Sequence, residues 1–171
     1  FSLPGAPEDV PHVEFSPNEQ YLALGFTYRL EIYDLTQRQT PISNIIPGFR
    51  HSIQWSASGS VILAAITDAT REGNFYLVAT LNPFTGERLH TYSGFPNELT
   101  SARWSPDETQ ILATSVDGTA YLVDGESGSI TPIFTTTVPL LSADWSPYGG
   151  QVAIGAPSNS ETMTALDGDD A

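Results

Sequence analysis

The chain contains no cysteine, no lysine and a single methionine. Without cysteine it has no disulfides, no thiolate metal ligands and no thiol nucleophile. Without lysine its six basic residues are all arginines, set against 20 aspartates and glutamates, and the formal net charge is −14. Lysine is ordinarily among the commonest residues, so the acidity comes from missing cations as much as from added carboxylates. Phosphate backbones and anionic lipid surfaces are gripped by clustered lysine and arginine, so neither nucleic acid nor a charged membrane is an expected partner. Long apolar runs are missing as well. The longest aliphatic stretch, Val61 to Ile66, has six residues, against the ~20 that a membrane helix needs, and no membrane insertion is expected. The chain opens at Phe1 and carries no recognisable signal peptide, which leads us to expect a processed product or a segment of something longer. The absent lysine and cysteine together favour an extracytoplasmic or secreted setting.

What is present points to strands. Thirteen prolines and fourteen glycines are scattered along the 171 residues and leave no uninterrupted stretch for an amphipathic helix. Between them lie short apolar runs rich in Val, Ile, Thr, Tyr and Phe, as β-strands are. The length suffices for one domain burying about 70% of its unfolded surface.

One motif recurs four times. Phe15-Ser16-Pro17, Trp55-Ser56-Ala57, Trp104-Ser105-Pro106 and Trp145-Ser146-Pro147 are spaced by 40, 49 and 41 residues. A polar turn and a small apolar run follow each copy: Tyr21 to Gly25, Val61 to Ala65, Ile111 to Ser115 and Gln151 to Gly155. A further strand then ends in an acid or its amide, at Asp34, Asn82, Asp124 and Asp167, and a more variable segment completes the unit (Ile42 to Ile46, Arg88 to Ser93, Ile130 to Thr135). Four short strands every forty-odd residues make one blade of a propeller. From about Asp9 to Asp167 the residues resemble the WD-repeat family and the related TolB-type propeller repeats. The best match runs from Trp104-Ser105-Pro106-Asp107 through Asp117-Gly118 to Tyr121-Leu122-Val123-Asp124. The resemblance implies an all-β fold of β-propeller blades, each of four antiparallel strands, with repeats at about 9–47, 48–94, 95–136 and 137–171 and residues 1–4 ending a preceding outer strand. The family's Trp-Asp pair appears as Tyr33-Asp34, Leu81-Asn82, Val123-Asp124 and Leu166-Asp167. Its Gly-His pair is reduced to Gly5-Ala6 and Gly94-Phe95, so the family's histidine-centred hydrogen-bond network is not expected in any blade. Members mostly close with six to eight blades. Four repeats therefore suggest part of a larger propeller, or an oligomeric one built by two-fold pairing of chains.

The strand before each anchor alternates, as a half-buried ladder does. Val13, Ile53, Ala102 and Ala143 should face the core two residues before it, and the anchors themselves should fill the space between blades. Polar residues stand one and three before it. Because the resemblance makes this strand the innermost, Glu14, Gln54, Arg103 and Asp144 are expected to line the central channel. There a small polar ligand or ion competes with ordinary channel water as the occupant. About seven extra residues, Asp68-Ala69-Thr70-Arg71-Glu72-Gly73-Asn74, separate the second and third strands of the second repeat. In the family such loops project from a face used for binding, which makes Asp68, Arg71, Glu72 and Asn74 candidate partner contacts.

No catalytic set assembles from the sequence. His12, His51 and His90 lack metal-ligand spacing, no Gly-x-Ser-x-Gly elbow or phosphate loop occurs, and the acidic end Asp167-Gly168-Asp169-Asp170 reads as a solvated tail. We expect no cofactor and no metal. The leading reading is a non-catalytic scaffold that contacts a protein partner, or neighbouring propeller blades, through its face loops. Two alternatives are a substrate-binding or gating propeller domain of a larger extracytoplasmic enzyme, and small-ligand or carbohydrate binding in the channel.

Overall fold

The computed structural model describes residues 12–26, 29–37, 41–45, 49–157 and 164–167. Every regular element among them is a β-strand. The first sheet, in spatial order β1-β2-β3-β4, comprises β1 (His12–Phe15), β2 (Tyr21–Phe26), β3 (Arg29–Asp34) and β4 (Ile42–Ile45). The second holds β5 (Phe49–Trp55), β6 (Ile62–Thr70), β7 (Gly73–Leu81) and β8 (Arg88–Phe95), and the third β9 (Leu99–Trp104), β10 (Gln110–Ser115), β11 (Thr119–Asp124) and β12 (Ile130–Thr135). The last contains β13 (Ser142–Trp145), β14 (Gln151–Gly155) and β15 (Thr164–Asp167). All pairings are antiparallel between consecutive strands. The first strands β1, β5, β9 and β13 touch one another in that order, which makes them the hub and the sheets the blades of a propeller, as the repeat implied. The expectations for Phe1 to Leu3, Gly5-Ala6 and the tail beyond Asp167 lie outside the described residues.

The core is three inter-blade layers. A blade's front face, carrying the aromatic anchor, packs on the back of the blade before it. Ile53, Trp55, Ile62 and Ala64 meet Ala23, Leu30 and Ile32 of the first blade. Ala102, Ile111, Ala113 and Trp104 meet Leu63, Ala65 and Val78 of the second. Ala143, Val152, Ile154 and Trp145 meet Leu112 and Ala120 of the third. Blade 1 differs. Its front carries Leu22, Leu24, Phe26 and Tyr33 in a cluster of their own, while Val13 and Phe15 are 49% and 60% exposed. The expected burial of these two therefore does not hold, because no blade stands before them among the described residues.

The Trp-Ser-Pro serine makes the turn between the first two strands of each blade. Its hydroxyl accepts the backbone N–H five residues on, at 2.9 Å for Ser16 with Tyr21, 3.2 Å for Ser56 with Val61, 3.0 Å for Ser105 with Gln110 and 3.0 Å for Ser146 with Gln151. In the first three blades a short polar side chain two residues after the serine completes the cap. The Ser16 and Ser105 hydroxyls donate to Asn18 Oδ1 and Asp107 Oδ1, at 2.7 and 2.6 Å, and Ser56 and Ser58 share a bond of 3.1 Å. Three residues after the serine the backbone turns left-handed in every copy, at Glu19 (φ 58°), Gly59 (69°), Glu108 (58°) and Gly149 (76°). The acid or amide ending the third strand caps the next turn. Asp34 Oδ1 accepts from Thr36 N at 2.8 Å, Asn82 Oδ1 from Phe84 N at 2.9 Å and Asp124 Oδ1 from Ser127 N at 2.6 Å.

Three outcomes are expected in urea unfolding. Trp55→Ala should cost about 3–5 kcal/mol, whereas Phe15→Ala, at the equivalent repeat position, should stay within about 1 kcal/mol. Glu19→Gly should raise stability by about 0.5–1 kcal/mol, by relieving a left-handed side chain at some entropic cost.

Candidate functional site

Residues one before each anchor leave the strand on the side opposite the anchor, so the four-fold row is a consequence of strand alternation; Gln54 meets the following blade, whereas Arg103 turns back to the blades before it. Two anchor indoles bond to this row's backbone. Trp55 Nε1 donates to Glu14 O at 3.4 Å, and Trp145 Nε1 to Arg103 O at 3.3 Å. Between blades 2 and 3 the bond takes another form, with the Trp104 backbone N–H donating to Gln54 Oε1 at 2.6 Å.

Arg103 is the centre of the cluster. Its Nη1 lies 3.1 Å from Ile53 O, 3.0 Å from Ala102 O and 3.4 Å from Ser52 Oγ, and its Nη2 lies 3.3 Å from His12 Nε2. A guanidinium only donates, so His12 must present Nε2 as an acceptor and is neutral in this arrangement. The buried Ser52 Oγ also accepts the Ala102 N–H at 3.0 Å. One side chain from blade 3 thus reaches blades 2 and 1. Beside it a recess of about 390 Å3 is lined by Arg103, Ser142, Asp144, Ala153 and Gly155.

Glu14 is the perturbed member. Burial pushes its carboxyl up from 4.5 to about 7, against the opposing pull of the Arg103 charge and the Trp55 backbone N–H, with Asp144 adding repulsion. Its Oε2 is buried without a hydrogen-bond partner. Asp144 is exposed and accepts the Trp145 N–H at 2.9 Å. The arrangement ties three blades together and takes up a proton near neutrality. Among the described residues no group of three or more His, Asp and Glu could hold a metal ion. The polar residues three before the anchors, His12 and Ser52, were legible only as a row; their bonding to Arg103 depends on the closeness of the blades.

The four candidates on the insertion stand apart from this hub. The extra residues do not form a loop. They lengthen β6 and β7 into a ribbon in which Asp68 pairs with Phe75, Ala69 with Asn74 and Thr70 with Gly73. Only Arg71 and Glu72 remain as the turn, closed by Thr70 Oγ1 donating to Gly73 O at 3.1 Å and Glu72 N donating to Thr70 Oγ1 at 3.1 Å. A two-residue connection lets the ladder continue, which is why strand pairing replaced the expected loop. Arg71, Glu72 and Asn74 are exposed. The Asp68 carboxylate is bound by both terminal nitrogens of Arg88 at 2.8 Å, and that partner holds it below the ordinary carboxylate range.

Residues 86–124 match the family model of the WD domain, G-beta repeat. The match starts just before β8 and ends with β11, so the sequence repeat straddles the outer strand of one blade and three strands of the next. The resemblance expected from the Trp-Ser-Pro copies is thereby borne out. The chain is similar to eukaryotic translation initiation factor 3 subunit I of Vanderwaltozyma polyspora, 25% identical over 179 residues, covering 93% of this chain and 50% of the relative. The same-named proteins of Botryotinia fuckeliana and Sclerotinia sclerotiorum are each 30% identical over 115 residues, covering 62% of this chain and 32% of theirs. The chain thus spans half the length of the first relative and about a third of the other two. These relatives overturn the extracytoplasmic or secreted setting, since a translation initiation factor works in the cytoplasm. The physical reason is simple: missing lysine and cysteine restrict charge and thiol chemistry, which any compartment tolerates.

The elevated Glu14 carboxyl sets a pH dependence. A folded value above the unfolded one means that the folded state binds more protons between about pH 4.5 and 7. This stabilisation is full at the acid end and is lost as pH rises through about 7. Relative to Glu14→Gln, the parent should match at pH 4 and be weaker at pH 8. Solvent screening holds the difference to about 1–2 kcal/mol, read by urea unfolding at the two pH values.

Proposed function

We propose that this chain is a non-catalytic propeller scaffold that holds other proteins through the loops and turns of its faces. The observation that carries the reading is the use of its central polar side chains. Arg103, Ser52 and Gln54 bond to neighbouring blades, so the hub is consumed in holding the scaffold, and the exposed groups lie on the faces. The relatives' designation as a subunit supports assembly as the role. On that basis the partners proposed here are neighbouring subunits of a translation initiation factor. In this reading the repeats at about 9–47, 48–94, 95–136 and 137–171 are successive units of one propeller wall. The exposed Val13 and Phe15 are then the surface on which a further blade, from a longer or a second chain, would sit.

Arg71, Glu72 and Asn74 at the ribbon tip are the proposed partner contacts, with Asp68 bracing its base through Arg88. Interface energy concentrates in few residues, arginine prominent among them. In binding measurements against the reconstituted neighbouring subunits, the double variant Arg71→Ala/Glu72→Ala should weaken association about tenfold without altering the fold. Unchanged affinity for every subunit would remove the ribbon tip from the interface, and absence of binding by the parent would remove the scaffold reading itself.

A further inference from the structure

The four serine-capped turns obey one rule and break it once. Two residues after the serine stand Asn18, Ser58 and Asp107, each bonded to the serine hydroxyl. In blade 4 that position is Tyr148, which supplies no such short acceptor and is 99% exposed. The turn still closes, through Gly149 at φ 76° and the bond from Gly149 N to Ser146 O at 2.9 Å. A local hydrogen bond has been exchanged for an aromatic ring standing in solvent, and sequences break a local rule in this way chiefly where a surface is used. The ring borders a groove of about 310 Å3 between the turns of blades 3 and 4, lined by Pro106, Asp107, Gln110, Trp145, Pro147 and Tyr148.

The surrounding charge identifies the occupant. The turns at this end of the blades carry Glu19, Asp34, Glu87, Asp107, Glu108, Asp124 and Glu126 among the described residues, and the arginine beside them, Arg88, is already paired with Asp68. A field of one sign next to an aromatic and proline-lined groove fits a cation with a flat, weakly hydrated face. We propose that this groove docks an arginine of a basic segment of a partner protein, its guanidinium stacked on Tyr148 and its charge met by Asp107. The proposal rests on the scaffold reading and adds the partner's chemistry and a second contact surface, on the end opposite the Arg71 ribbon tip.

The test is fluorescence anisotropy of the full chain with a labelled twelve-residue peptide of alternating arginine and glycine, and the same peptide with lysine. Tyr148→Asn restores the residue type that caps blade 1. It should keep or raise stability while weakening the arginine peptide about tenfold. Asp107→Asn keeps the turn, as Asn18 shows, and should weaken binding about fivefold. Glu126→Gln removes the same charge outside the groove and should change affinity less than twofold. The lysine peptide should bind several-fold more weakly than the arginine one. The proposal is overturned if the parent binds neither peptide, if Tyr148→Asn binds within twofold of the parent, or if Glu126→Gln costs as much as Asp107→Asn. None of these results would touch binding through the ribbon tip, which the Arg71 variants read separately.

Discussion

Everything in this molecule depends on one contact, the front of a sheet laid on the back of the sheet before it. A four-stranded antiparallel sheet has two faces, and no helix is present among the described residues to cover either. Each blade must therefore bury both faces in other blades. The residue sizes follow. Ala23, Ala64, Ala65, Ala79, Ala102, Ala113 and Ala120 are all at most 1% exposed and let the sheets approach closely. Tyr92, Phe95 and Tyr121 fill one of the layers farther out, with Phe95 and Tyr121 meeting edge to face at 5.4 Å. Blade 1 is the exception that identifies the cause. Its Phe15 occupies the same sequence position as Trp55 and is nonetheless 60% exposed, while Leu22, Leu24, Phe26 and Tyr33 on that face bury one another; the anchor's burial comes from the blade before it and not from the strand that bears it.

That dependence separates what could be read from the sequence from what could not. The repeat, the turns and the alternation are local, and the Trp-Ser-Pro copies displayed them. The serines' task is local too, yet it became visible only when their hydroxyls were found bonded to the amide five residues on. The row Glu14, Gln54, Arg103 and Asp144 followed from period and parity. Its members' fates did not, because they rest on distances between sheets. Gln54 meets the Trp104 amide, Arg103 spans two blades to His12, and Asp144 stays in solvent. The insertion failed for a different reason. A count of extra residues cannot tell a loop from two lengthened strands, and Thr70 and Gly73 close the turn so tightly that the ladder runs to its tip.

The hub also explains why a carboxyl near neutrality need not mark an active site. Perturbed groups cluster at functional sites, but structural networks perturb them as well. Glu14 is raised chiefly by burial, and burial at the hub is what inter-blade packing produces. The groups around it donate or accept within the scaffold: Arg103 to backbone carbonyls, Ser52 to a backbone amide, Trp55 through its indole to Glu14's own carbonyl. A catalytic arrangement leaves donors aimed at an empty position where charge will develop, whereas the donors here are aimed at neighbouring blades.

The absence of lysine takes on meaning in the same frame. On a propeller the strands carry the layers, and charge is pushed to the turns and loops at the two ends of the sheets. Several of those carboxylates are also local caps. Asp34, Asp107 and Asp124 are held below the ordinary range by the hydroxyls and amides they accept from, so they remain ionised while performing a structural task. An end built from such caps is acidic whether or not a partner exists, which is why charge alone cannot locate a contact. What can locate one is a turn that gives up its cap. Among four turns solving one geometric problem, three use a short polar side chain and the fourth puts Tyr148 in solvent. Because the other three define what folding requires, that difference is the part of the surface that folding does not explain.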